Sequence, residues 1–390
     1  MRHWLLGLSI AATIFALDGV YAQSDKAAKP AAQAPSLDQA MADYRRKLKD
    51  YEAARAKFEA VAEPYWQRVE DMRKARMAKR RNGQTIVLSD YVLEQPPQYT
   101  GPSRPADPSK PQEPSPEREP IPLVSDFLRN AKEHFGFVPE RPDSEMAYKR
   151  AYARVASAAG ISRDQAVRVY SFESGGNGKY DVQAGLETSK QGARAISTAL
   201  GYNQLLTANT LSILAEKGER LVKAMHAKAA AASGDRKKVL EAKTEVLRRM
   251  VAHSHTVQSR WGEHVKLGRT PKGLGVHALN LDIDIGPLLQ TQKLLDSIVF
   301  ARVKGVERTL SAAELEMMNL TGDGNGFDMI SMPQAMRPQV PTSNFFQRRG
   351  YERNPVAIRN NTVEKLLAAT DAVMDRESKL QGARDMAGLF

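Results

Sequence analysis

From Gln95 to Pro122, prolines recur so densely among polar and charged residues that neither a helix nor a sheet can run through. A stretch of this kind is extended and semi-rigid, and it is expected to act as a solvated spacer. It divides the 390-residue chain into pieces that must find their cores separately. On its N-terminal side, residues 37–94 carry a helical segment. Met41, Leu48, Ala62 and Val69 alternate with Tyr44, Tyr51, Phe58, Tyr65 and Met72 at heptad spacing. Arg55 falls on the inner stripe, and Pro64 is expected to kink the helix or split it in two. So many aromatic residues on one stripe suit two readings equally: packing against the main domain, or pairing with a partner in a coiled coil or a cell-envelope complex.

Residues 123–390 show a series of segments with helical periodicity separated by loops rich in Gly, Asn and Pro. The spacing predicts helices over 125–134, 144–159, 162–174, 207–232, 236–267, 286–303, 311–318 and 361–380. The expected fold class is all-α.

The first residues have the form of a secretory signal. Arg2 and His3 give a basic start, Trp4 to Leu17 is a short apolar run, and Val20-Tyr21-Ala22 presents small residues at a cleavage site. Asp18 interrupts the run well short of the roughly 20 residues that a membrane anchor needs. The expectation is a signal over residues 1–22 cleaved after Ala22, then a disordered leader over 23–36, giving an exported protein with no transmembrane segment. The chain has no cysteine, so disulfides and thiolate metal sites are excluded. A net charge of +12 favours an anionic partner. For an exported chain that points to cell-wall peptides or lipid head groups, not nucleic acid.

Ser162-Arg163-Asp164-Gln165 is a capping-box pattern that opens a helix, and Gly175-Gly176 closes it. Between them Ala166, Val169, Tyr170 and Glu173 share one stripe at spacings of three and four. A carboxyl on an apolar stripe loses solvation, which raises its pKa and lets it give up a proton near neutral pH. A second segment, Ala199-Leu200-Gly201-Tyr202-Asn203-Gln204, leads into a helix near Thr207, with a glycine that permits close backbone approach.

Phe172-Glu173-Ser174 followed by Gly201-Tyr202-Asn203-Gln204 resembles the lysozyme-like lytic transglycosylases, in which Glu-Ser precedes Gly-Leu-Met-Gln. Ser197, Ala199, Gly201, Gln204 and Thr207-Ala208 stand in the order of that family's pattern. Met318-Asn319 stands where the family has Ala-Tyr-Asn-Ala-Gly. The resemblance spans roughly Ser125 to Asp328. It implies a lysozyme-like domain over 123–390 that cleaves the MurNAc–GlcNAc bond of peptidoglycan strands in the periplasm without a cofactor. It further implies Glu173 as catalytic acid/base, with Ser174, Gly201, Tyr202, Gln204 and Asn319 at the substrate. Three substitutions depart from the pattern: Tyr202 and Asn203 replace Leu and Met, and Met318 replaces a tyrosine that supports the acid. A non-catalytic wall-binding or scaffold protein on the same fold is therefore the alternative.

Glycosidases that use water need two carboxylates. Asp181, Asp282 and Asp323 are candidates for the second, none with a distinctive context. A lytic transglycosylase needs one, because the sugar's own 6-hydroxyl closes on the anomeric carbon and leaves a 1,6-anhydro end. Asp323 to Asp328 alternates oxygen ligands with glycine, but the twelfth position of a calcium loop starting at Asp323 is Gln334 instead of glutamate. The histidines lack zinc-site spacing, so no metal is expected.

Overall fold

The computed structural model describes residues 36–110, 120–186 and 192–390. The signal over 1–22, its cleavage at Ala22 and nearly all of the expected leader lie outside the described residues. Among the described residues the chain is all-α, with fifteen α-helices and no strand. They fall into two units, the chain dividing between Pro120 and Ile121.

In the first unit, Ser36 accepts from the Gln39 amide while the Gln39 side chain accepts from the Ser36 amide. This reciprocal cap starts α1 (Leu37–Arg81). The helix is continuous through Pro64, so the expected split does not occur. Proline removes one backbone bond, and side chains on either side of it are anchored by the returning chain. The Tyr65 hydroxyl donates to the Glu94 carbonyl at 3.0 Å, and the Arg76 guanidinium donates to the Asp90 carbonyl at 2.9 Å. Arg76 also lies over the Tyr91 ring.

The heptad stripe is thus closed at least partly by the chain's own return. Tyr99 packs edge-on against Phe58 and Tyr51, and the guanidinium of Arg55 lies 5.1 Å from the centre of its ring. An arginine on the inner stripe is accommodated because its partners are aromatic faces. The early part of the Pro-rich stretch is therefore extended but packed, with Pro96 buried, and is not a solvated spacer from its first residue.

The second unit contains α2 (Val124–Phe135), α3 (Glu145–Ala158), α4 (Arg163–Ser174), α5 (Thr207–Ala230), α6 (Gly234–Ser254), α7 (Trp261–Leu267), α8 (Pro271–His277), α9 (Gly286–Val303), α10 (Ala312–Thr321), α11 (Asp323–Ile330), α12 (Arg348–Glu352), α13 (Pro355–Arg359), α14 (Val363–Glu377) and α15 (Gln381–Ala387). α5 and α6 form a long antiparallel pair, α3 lies on α9, and α10 packs against α4, α9, α11 and α14.

Two segments of this unit depart from their sequence pattern. The helix expected over 236–267 is two helices, α6 and α7. At the break the Ser254 hydroxyl donates to the Val251 carbonyl and the Thr256 hydroxyl to the His253 carbonyl, competing with helix continuation. The segment from Asp323, whose Gly and Asn suit a turn, is helix α11. Gly322, at φ +79°, ends α10, and the Asp323 side chain, at the first position of α11, accepts from the Ser297 hydroxyl at 2.8 Å.

The start of α9 is set by buried charge. Lys243 on α6 reaches Asp282 at 2.9 Å, Asp284 at 2.6 Å and Glu140 at 2.6 Å. Asp282 in turn accepts from the amides of Glu140, Asp284 and Ile285. With every partner satisfied, this network fixes the loop that delivers α9 to α10.

Candidate functional site

The reciprocal cap of Ser162 and Gln165 forms as the sequence implies, and Gly175 closes α4 at φ +64°. Ala166, Val169 and Tyr170 are buried, and Glu173, in the last turn, is 9% exposed. Its carboxyl meets α10. Glu316 and Asn319 are three residues apart, which puts both on the face turned to α4. Asn319 Nδ2 donates to Glu173 Oε1 at 2.5 Å and, more weakly, to Glu316 Oε1 at 3.4 Å. The Glu173 and Glu316 carboxyls also hydrogen-bond each other. Lys293, half-buried on α9, is the cation whose field reaches both.

Burial pushes the Glu173 carboxyl up from 4.5 to about 7, against the opposing effects of Lys293 and of the hydrogen bonds from Glu316 and Asn319. Glu316, fully buried, is pushed well above the usual carboxylate range by burial first and by the neighbouring Glu173 charge second. Asp323 is raised too, chiefly by burial, while Ser297 and Lys293 oppose the rise. Near pH 7 the site therefore holds a neutral Glu316 beside a Glu173 poised between acid and base.

Of the residues expected at the substrate, the structure brings only Asn319 to the Glu173 carboxyl. Ser174 is adjacent in sequence, but its hydroxyl donates to the Tyr170 carbonyl one turn back. Tyr202 is fully buried, which removes it from any substrate surface. It packs edge-on against Tyr148, Tyr152 and Tyr170, and its hydroxyl donates to Glu145. Gly201 holds a turn at φ +79°, where a Cβ would meet Gln290 Nε2 at 2.8 Å. Gln204 Nε2 donates to the Gly201 carbonyl at 2.7 Å, closing the same turn. This segment, expected to line a cleft, is a tight turn bridging Leu200 to Leu205, and its polar atoms serve the fold. Met318 is buried.

Glu316 is the residue that sequence reasoning missed. The available signal was a lone carboxylate in the apolar run Leu315 to Met318, three residues before Asn319. The other acids considered as a second carboxylate are engaged elsewhere: Asp181 with Arg141, Asp282 with Lys243, and Asp323 with Ser297.

Compared with known proteins, the chain matches no family model, no curated protein and no solved structure.

Proposed function

We propose that this chain is an exported lytic transglycosylase of peptidoglycan, with Glu173 as its single acid/base and a divergent lysozyme-like domain around it. The observation that carries the reading is the buried Glu173 carboxyl, raised to about 7 and held by Asn319 at the end of α4. Such a group is protonated often enough near neutral pH to donate to a leaving oxygen, and basic enough afterwards to take a proton back.

In the proposed reaction Glu173 gives its proton to the glycosidic oxygen as the bond to the MurNAc anomeric carbon breaks. The resulting carboxylate then takes the proton of the sugar's 6-hydroxyl as that oxygen closes on the same carbon. No water is consumed, the enzyme ends as it began, and the products are a free GlcNAc 4-hydroxyl and a 1,6-anhydro end.

Glu316 does not turn this into a hydrolytic pair. Retaining glycosidases hold their carboxyls about 5–5.5 Å apart and inverting ones about 6.5–9.5 Å, with the scissile bond between them. Two carboxyls that hydrogen-bond directly leave no room for a sugar. The periplasm is the proposed location and glycan strands the proposed partner. An envelope complex held through α1 would have to use the surfaces its own returning chain leaves open.

One feature favours a non-catalytic wall-binding protein instead, namely Met318 in place of the supporting tyrosine. Mass spectrometry of peptidoglycan treated with the mature protein and with Glu173→Gln separates the two readings. Anhydro-muropeptides from the wild type alone are expected. Binding to sacculi with no products would leave the scaffold reading in place.

A further inference from the structure

We propose that Glu316 is a positioning residue for Glu173: a buried carboxylic acid whose hydroxyl donates to the Glu173 carboxylate, leaving Glu173 as the one carboxyl of the pair that changes charge. The inference rests on the reading of Glu173 as the reacting acid and adds to it the group that controls when it ionises.

Three observations assign the proton. Two hydrogen-bonded carboxyls in one buried site cannot both ionise readily, and Lys293 comes within ion-pair distance of neither among the described residues. Asn319 is shared unequally, at 2.5 Å to Glu173 and 3.4 Å to Glu316, so negative charge is better held on Glu173. Finally, no donor reaches the buried Glu316 Oε2, so a negative charge there would go unsupported, while Glu173 retains some exposure. The neutral member is therefore Glu316.

The other charged groups on the surrounding helices are mostly engaged. On α10 itself Glu314 is paired with Arg308 and Arg337. On α14 Asp371 and Asp375 are held by Arg168. On α11 Asp323 accepts from Ser297. Lys293 on α9 is the remaining charge whose field acts on the pair.

In the proposed reaction Glu316 neither gains nor loses a proton. Its hydroxyl stabilises the Glu173 carboxylate that forms when the leaving oxygen is protonated, and it remains in place when Glu173 takes the proton of the 6-hydroxyl. Met318 is then no gap in the site, because the hydrogen bond expected of a tyrosine comes from the residue two positions earlier.

The test is a carbon-13 NMR titration of the full chain carrying carboxyl-labelled glutamate, with the Glu173 resonance assigned through Glu173→Gln. In the wild type this resonance is expected to titrate near 7 while that of Glu316 stays protonated. Glu316→Gln keeps a donor and should leave the Glu173 midpoint within about half a unit. Glu316→Leu removes the donor and should raise it by about one unit. The alkaline limb of the pH–rate profile should move with the midpoint in both variants.

The proposal is overturned if Glu316→Leu leaves the midpoint unmoved. It is equally overturned if Glu316→Gln lowers the midpoint by more than about a unit, as loss of a neighbouring negative charge would. Should Glu316→Leu fail to fold, Glu316→Gln and the wild-type Glu316 resonance still decide the matter. The titration needs no substrate, so a wild type that makes no glycan products would sink the transglycosylase reading while the resonances judge Glu316 separately.

Discussion

Glu173→Gln should make the protein more stable, and only above a particular pH. A carboxyl whose value is raised from 4.5 in the unfolded chain to about 7 in the folded one keeps its proton longer when folded. Below 4.5 both states hold the proton and there is no effect. Between 4.5 and 7 the unfolded state releases it first, so stability falls as pH rises, and above 7 the loss is complete. At about 1.4 kcal/mol per pH unit the full loss is about 3 kcal/mol, a sizeable part of a typical folding free energy.

Glutamine has nearly the same shape and cannot ionise. Its amide oxygen can accept from both Asn319 and the Glu316 hydroxyl. The variant should match the wild type near pH 4.5 and exceed it by about 3 kcal/mol at pH 8, roughly 5–10 °C in the midpoint of the larger unit. Urea unfolding at pH 4.5, 6 and 8 measures this, with the transition of the 121–390 unit resolved from that of the N-terminal one. A gain that is absent, or equal at every pH, would show that Glu173 ionises like an exposed glutamate and would refute the reasoning behind its role.

Lys243→Met should cost about 3–5 kcal/mol in thermal or urea unfolding, because it strands the buried carboxylate of Asp282, whereas Asp284 keeps Lys228 and Arg236. Gly201→Ala should cost about 1–3 kcal/mol, measured the same way, since alanine must adopt φ +79° and displace Gln290. Tyr99→Ala should speed amide hydrogen exchange around Tyr51 to Phe58 several-fold. It should leave exchange in the larger unit unchanged, because the contacts it removes lie wholly within the first.

Helices announced by local chemistry were legible in the sequence. The Ser162–Gln165 cap and the Gly175 stop bound α4 within a residue, and α9 runs from Gly286 to Val303 as its pattern implies. The break between α6 and α7 was hidden because Val257 and Trp261 continue the apolar rhythm while Ser254 and Thr256 divert backbone acceptors. Asp323 to Asp328 read as a loop because Gly and Asn favour turns, yet α11 forms there against α10 and buries Phe327. At the site, Glu173 could be read from its own helix, since its burial follows from its stripe. Glu316 could not, because a carboxylate within one helix pattern gives no sign of which buried group it will face across a tertiary contact. The turn at Gly201 to Gln204 failed in the opposite way: its residue types suit a binding cleft, and only the positions of Glu145 and Gln290 show that they are used internally.

The doubling-back of the chain along α1 has a mechanical consequence. The contacts between helix and return segment are laid out in series, from Asp90 at the far end through Glu94 to Tyr99 nearest the exit. A pull on the segment that follows would load them one at a time, beginning with Tyr99, and not all together in shear. Each single contact is worth only about 1 kcal/mol, so the return segment would peel away at low force while the backbone bonds of α1 stayed intact. Under tension the first unit would give up its return segment before α1 unravels.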